Sequence, residues 1–424
     1  MLTNILAMYQ LMRDARLDRP ALDSLIDKRL KKVLVSAYLH VPYYRELMKS
    51  AGYNPVTDYS GPEDLKLLPV TTKEDFKKRE PKAFIKEGAV LSKCYKETTS
   101  GSTGIPLVIY RSPYERSVQI AKWLRVLFLN GYDVRQKVMS LTPPWRLHEG
   151  RTFLNKLNIF RKVSVNYHSS AKEMVDAFLA YKPDILYGNR SHLDMMASEL
   201  KRRGIEYKDL MLVAVAAEVV HENSKKLYQK HFGVKLTEIY SSTEMATMFH
   251  ETPEHNGLQI MEDLTYCEFL DPNGEPVKPG EPGRTVVTDL LGTTMPFIRY
   301  DQGDLAIYEN IEDETGKTCK RVTKIFGRDD DYALLPDGTK RPFHMFYEIM
   351  DRYEDLCQFR VIQKKVDLIQ IHVATNDDYL RSIREDMLEQ LYKKLTSDIT
   401  LEIIRVDKID PDPSGKIRML ISEI

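Results

Sequence analysis

A chain of 424 residues, 42% of them hydrophobic, is long enough for two or three domains and a large core. Lys plus Arg and Asp plus Glu number 62 each, so no overall field draws the protein to nucleic acid or an anionic membrane, and a small-molecule partner is expected. The four cysteines, Cys94, Cys267, Cys319 and Cys357, are scattered without a C-x-x-C pair. That argues against a disulfide framework and for a cytoplasmic protein. No stretch reaches the roughly 18 apolar residues of a membrane span.

In chain order, Leu22, Leu25, Ile26, Leu30, Val33, Leu34 and Ala37 recur at helical spacing and predict helix over residues 20–50, ending at Val41-Pro42-Tyr43-Tyr44. A short helix follows Leu65, is broken by Pro69 and restarts at Thr71 or Thr72, with Asp75 in the first turn. Next comes Thr98-Thr99-Ser100-Gly101-Ser102-Thr103-Gly104-Ile105-Pro106, whose hydroxyls and amides could cradle an anion or form no more than a surface turn. Leu107–Tyr110 reads as a strand, and Ser112-Pro113-Tyr114-Glu115 as a capping box that opens a helix through Trp123 and Leu127 to Gly131. The Ser/Thr/Gly run thus lies between strands and lacks the G-K-[ST] ending of a P-loop.

From about residue 172 helix and strand alternate, with helices predicted over Lys172–Ala180, Ser191–Arg203 and Asn223–Phe232. Strands are predicted over Asp184–Gly188, Leu210–Ala216 and Val234–Tyr240. The alternation predicts a parallel sheet, and ligands bind at the carboxyl ends of such strands. Two segments stand there: Ala217-Glu218 and Tyr240-Ser241-Ser242-Thr243-Glu244. Beyond Glu251, turns such as Asp271–Gly274 and Lys278–Gly283 predict β structure. A compact α+β unit follows, with strands at Phe359–Ile362, Leu368–Val373 and Leu401–Val406 and a helix over Leu380–Thr396. The domain boundary is expected near Asp329, giving a large domain over 1–328 and a small one over 329–424.

Thr99–Gly104, Tyr240–Glu244, Tyr300–Asp304, Gly327–Asp330 and Gly415-Lys416 are, in this order, similar to the core motifs of the adenylate-forming superfamily. Val41–Arg45, Leu68–Lys73 and Pro296–Tyr300 add to the likeness, which runs from about residue 25 to the C-terminus. It is strongest to phenylacetate-coenzyme A ligase-like and capsule-biosynthesis adenylate-forming proteins. The resemblance implies an α/β fold with helix-covered sheets, a β-rich subdomain and a small mobile C-terminal α+β domain. It implies an ATP-dependent ligase that joins a carboxylic acid to AMP, releases pyrophosphate, and passes the acyl group to an acceptor.

By the same resemblance Thr99, Ser100, Gly101, Ser102, Thr103 and Gly104 grip phosphates, and Glu244 binds Mg²⁺. Tyr240 stacks on adenine in a pocket shared with Ala217, Glu218, Ser241, Ser242 and Thr243. Asp304 and Arg328 hold the ribose, Asp330 is the hinge, and Lys416 reaches the carboxylate and α-phosphate. Three departures stand out: Ile105 replaces a lysine, Arg284 replaces a glutamate, and Tyr332–Pro342 lacks the glycine-asparagine turn of coenzyme A ligases. The acceptor therefore stays open between coenzyme A, a carrier thiol, an amine and a sugar. His250, His255 and Cys319, with Cys267, occupy places where some relatives hold Zn²⁺, but a single Cys319 stands for the usual C-x-C-G run, so a degenerate site without zinc is expected. Trp145, Tyr187, Asn189 and His192 are candidates for the acyl pocket. The rival readings are a nucleotide-binding protein without catalysis and an ATPase or kinase-like enzyme.

Overall fold

A computed structural model describes residues 2–99, 106–144, 147, 157–220, 222–313, 316–328, 332–353, 356, 358–395, 398–410 and 418–424. The chain divides into two compact units, Met1–Gly131 with Ile239–Ile325, and Tyr132–Glu238 with Phe326–Ile424.

The first unit opens with helices Leu2–Asp14, Arg19–His40 and Pro42–Ser50. Asp18 caps the second through Ala21 N–H at 3.0 Å, and Leu22, Ile26, Leu30, Val33, Leu34 and Ala37 form its buried stripe. The helix expected over residues 20–50 is two helices. Val41, ahead of Pro42, is extended at φ −114° and ψ 111°, because a proline ring disfavours α geometry in the residue before it. Pro42 then begins a new helix rather than ending helical structure, and it carries Tyr43 and Tyr44 into the core. There Phe76 stacks on Phe84 and Phe297, with ring centroids 4.2 and 5.0 Å apart.

The capping box read at Ser112 with Glu115 is present, and the N-cap expected at Thr71 or Thr72 is Thr72, which forms a capping box with Asp75. Strands Tyr95–Thr98 and Val108–Arg111 pair antiparallel and flank the Ser/Thr/Gly run, as expected. The later part of this unit is antiparallel. Ala246–Glu251 pairs with Leu236–Ser242 and Leu258–Ile260, and Pro282–Asp289 pairs with Thr265–Leu270 and Tyr300–Glu312.

In the second unit strands Lys162–Asn166, Val138–Thr142, Ile185–Asn189 and Leu212–Ala216 lie side by side and parallel. Helices Ala171–Tyr181, Arg190–Arg202 and Glu222–Phe232 join or follow them, and Met139, Leu141, Phe178, Leu193, Met196 and Phe232 share a core. Of the strands that the alternation predicts, Ile185–Asn189 and Leu212–Ala216 pair in the parallel order expected. Within the same unit residues from Ala333 to Leu420 enclose a core of their own. Gln358–Lys365 and Leu368–Ala374 pair antiparallel, and helix Asp377–Lys394 crosses over to Thr400–Val406, which pairs parallel with Leu368–Ala374. Tyr347 Oη donates to Val220 O at 2.8 Å, and Asn223 Nδ2 to Tyr353 O at 2.9 Å.

The first unit also buries an ion network. Arg29 joins Asp14 at 2.5 Å and donates to Asp263 O at 2.6 Å, while Arg125 donates to the Asp263 carboxylate at 2.8 and 3.0 Å. Removing one partner of such a network leaves buried charge uncompensated. Asp263→Ala is therefore expected to cost about 3–5 kcal/mol, read as a lower midpoint of chemical denaturation. A midpoint within error of the parent would show that Asp263 does not hold these arginines in solution.

Candidate functional site

Three of the five motif segments lie in the first unit, and hydrogen bonds tie two of them, Tyr240–Glu244 and Tyr300–Asp304, together. Leu236–Ser242 carries Tyr240, Ser241 and Ser242 inside the strand rather than after it, because pairing with Ala246–Glu251 extends the strand to Ser242. Tyr240 stacks on Phe249 with ring centroids 4.8 Å apart, and its hydroxyl donates to Asp304 Oδ2 at 2.5 Å. Glu244, 8% exposed, accepts from Tyr300 Oη at 3.1 Å. Among the described residues no cationic side chain pairs with Glu244. A buried carboxylate without a counter-charge fits a divalent cation, which takes hard oxygen ligands.

The turn that carries Glu244 is held from behind. Arg111 Nη2 donates to Thr243 O at 2.7 Å and to Glu244 O at 2.5 Å, and Lys122 Nζ donates to Met245 O at 3.0 Å. Burial pushes the Lys122 ammonium down. Ala246 follows at φ 57° and Arg299 precedes Tyr300 at φ 46°, both in the left-handed region that non-glycine residues seldom occupy. Thr99 closes the hairpin: its N–H donates to Leu107 O, and its hydroxyl accepts from Leu107 N–H, each at 3.0 Å. Ser100, Gly101, Ser102, Thr103 and Gly104 lie outside the described residues, as do Ile105, Trp145, Asp330 and Lys416.

In the second unit Ala217 follows its strand at φ 71°. Glu218 turns its carboxylate to Ser191, accepting from the N–H and the hydroxyl at 2.9 Å each. Next to it Arg190 pairs with Asp194 at 3.0 Å, and Tyr228 donates to Asp194 at 2.6 Å. Burial outweighs these partners and holds the Asp194 carboxyl up at about 6. Arg328 ends strand Thr318–Arg328 and is exposed. Tyr187 and Asn189 are half-buried on strand Ile185–Asn189. His192 is buried, with its ring stacked 4.8 Å from Tyr167. Its imidazole is pushed toward the neutral form by burial.

The residues considered for zinc have other engagements. His250 Nδ1 lies 3.0 Å from Glu251 O, and burial lowers its pKa to about 4. His255 pairs with Glu251 at 3.0 Å, while the Cys319 thiol lies 3.8 Å from Gln259 and 3.9 Å from Asp313. Among the described residues no group of three His, Cys, Asp or Glu side chains is gathered to hold a metal.

Reading the sequence missed Arg111 and Lys122. The pattern carried a hint for Arg111: it shares a strand face with Ile109, and both are buried, so a charge at that position needs a partner.

Residues 341–423 match the CapK C-terminal domain. The chain is 26% identical over 388 residues to a phenylacetate-coenzyme A ligase of Thermus thermophilus, covering 88% of this chain and 85% of that protein. It is 25% identical over 371 residues to the Pseudomonas putida protein of the same name, covering 82% and 80%. Among solved structures, 2-hydroxyisobutyryl-CoA ligase in complex with 2-HIB-AMP superposes with a TM-score of 0.80 at 20% identity, covering 96% of this chain and 90% of that one. Anthranilate CoA ligase with anthranoyl-AMP gives 0.57 at 14% identity, covering 76% and 64%. The chain thus has the fold of adenylate-forming ligases, is similar in sequence to phenylacetate-coenzyme A ligases through most of its length, and matches the CapK C-terminal domain over residues 341–423.

Proposed function

We propose that the protein is an ATP-dependent ligase that activates a carboxylic acid as its acyl-adenylate, with loss of pyrophosphate, and then passes the acyl group to a thiol. The observation that carries this reading is the pairing of Tyr240 with Asp304 and of Tyr300 with Glu244, which brings two of the ordered motif segments together. The acid's oxygen attacks the α-phosphorus, and the bond to the pyrophosphate oxygen breaks. Such chemistry needs positioning and charge stabilisation more than covalent help from the protein.

In this reading Glu244 holds Mg²⁺, which would neutralise phosphate charge. Thr99 through Gly104 donate to the phosphates, and Ala217 to Glu218 and Tyr240 to Thr243 line the adenine. Asp304 and Arg328 take the ribose. Lys416 brings its cation to the developing charge, and residues 329–424 act as a lid with Asp330 at the hinge. Coenzyme A is the favoured acceptor, because the phenylacetate-coenzyme A ligases to which the chain is similar carry that acceptor in their name. The CapK C-terminal domain leaves a role in capsule biosynthesis as a second reading of the pathway, not of the chemistry.

Incubated with ATP, Mg²⁺, labelled pyrophosphate and a panel of aryl and short-chain acids, the protein should exchange label into ATP only when its acid is present. Folded protein that exchanges with no acid of a broad panel would overturn the proposal, and release of ADP in place of AMP would reassign it to phosphoryl transfer. Lys416→Ala should lower the adenylation rate at least 100-fold, about 2.7 kcal/mol of transition-state stabilisation, with the affinity for ATP kept within a few-fold. Full activity in that variant would remove Lys416 from the first half-reaction.

A further inference from the structure

We infer that Arg111 is a positioning residue, one that locks the turn carrying Glu244 to the hairpin carrying the Ser/Thr/Gly run and so sets the metal dependence of nucleotide binding. The inference rests on the proposed function, in which Glu244 holds Mg²⁺.

Arg111 is 4% exposed and spends its guanidinium on two segments more than 130 positions apart. Its Nε donates to Glu97 Oε2 at 3.1 Å. Glu97 stands in strand Tyr95–Thr98, one residue before Thr98, and pairs across the hairpin with Ile109. Nη2 donates to the carbonyls of both Thr243 and Glu244. A planar fork with fixed donor directions can make these contacts together, whereas the point charge of a lysine cannot reproduce them. Glu97 is itself fixed by Arg116 Nη1 at 2.8 Å and Gln119 Nε2 at 3.2 Å, both from helix Pro113–Leu129. The same helix sends Lys122 to Met245 O.

Three successive carbonyls, of residues 243, 244 and 245, therefore face two buried cations. With its backbone drawn to that side, Glu244 extends its carboxylate to Tyr300. One helix and one guanidinium thus hold both the strand that leads into the Ser/Thr/Gly run and the turn whose carboxylate is proposed to hold the metal. A shift in either strand or turn would change where the Glu244 carboxylate stands relative to the Ser/Thr/Gly run. Partners of this outer kind typically alter metal affinity by about 10–100-fold.

The test is calorimetric titration of the full-length protein with ATP, in Mg²⁺ and separately in EDTA, beside a thermal melt. The parent should bind ATP more tightly with Mg²⁺. Arg111→Met should lose at least about tenfold of that metal-dependent gain, while its affinity in EDTA stays within about threefold. Arg111→Lys should fall short of full rescue, and Glu97→Gln should give a smaller loss of the same kind. Equal weakening with and without Mg²⁺, or an unchanged gain in a folded Arg111→Met, would overturn the inference. If Arg111→Met fails to fold, Glu97→Gln and Arg111→Lys decide by the same ratio. A parent that shows no metal-dependent gain would instead overturn the assignment of Glu244 as metal ligand, a result distinct from a parent that shows the gain and variants that keep it.

Discussion

Two hydrogen bonds from phenol to carboxylate set the geometry of the candidate site, Tyr240 to Asp304 and Tyr300 to Glu244. Each orients an acid without neutralising it, which a lysine or arginine in the same place would do. Tyr300 reaches Glu244 because the residue before it turns the chain. Arg299 sits at φ 46°, a conformation that costs a non-glycine residue about 1–3 kcal/mol and persists only when its surroundings over-determine it. They do so here. Its guanidinium binds Glu268 at 2.8 Å and Leu68 O at 2.5 Å, its N–H donates to Thr288 Oγ1 at 2.9 Å, and its carbonyl accepts from Thr71 N–H at 2.8 Å. Strands far apart in sequence are thus recruited to hold one turn.

That dependence explains how much of the molecule could be read in advance. Caps announce themselves within four residues, so Thr72 with Asp75 and Ser112 with Glu115 were legible, as was the helix-strand alternation of the second unit. Helix Arg19–His40 was legible in its apolar stripe but not in its end, since the pattern continues past Val41 while the backbone before Pro42 cannot. The order of the site motifs was legible too. What holds them was not: Arg111 and Lys122 act on backbone carbonyls, which carry no residue signature. An interaction with a main-chain atom can be read from sequence only as a charge at a position that ought to be apolar.

Histidines and cysteines show the converse. His250, His255 and Cys319 invite a metal by composition, yet each finds a nearer partner in Glu251, Gln259 or Asp313. A buried imidazole whose pKa lies at about 4 is neutral at ordinary pH and would suit a metal by charge. Holding a metal requires several ligands to converge on one point, and among the described residues no three His, Cys, Asp or Glu side chains are so gathered.

The departures at Ile105 and Arg284 bear on whether the chain has lost catalysis. The surroundings of Arg284 bear on that question. Its guanidinium pairs with Asp301 at 3.1 Å, and the other oxygen of Asp301 accepts from Gly303 N–H at 2.7 Å. Gly303, at φ 73°, turns the chain directly ahead of Asp304. Arg284 is therefore built into the support of the carboxylate that Tyr240 engages, through an acid two residues before Gly303. A cation in place of a glutamate requires an acid opposite it, and Asp301 supplies one. The charge of Arg284 is thus answered where it stands, by Asp301, and through Asp301 it bears on the turn at Gly303 that precedes Asp304.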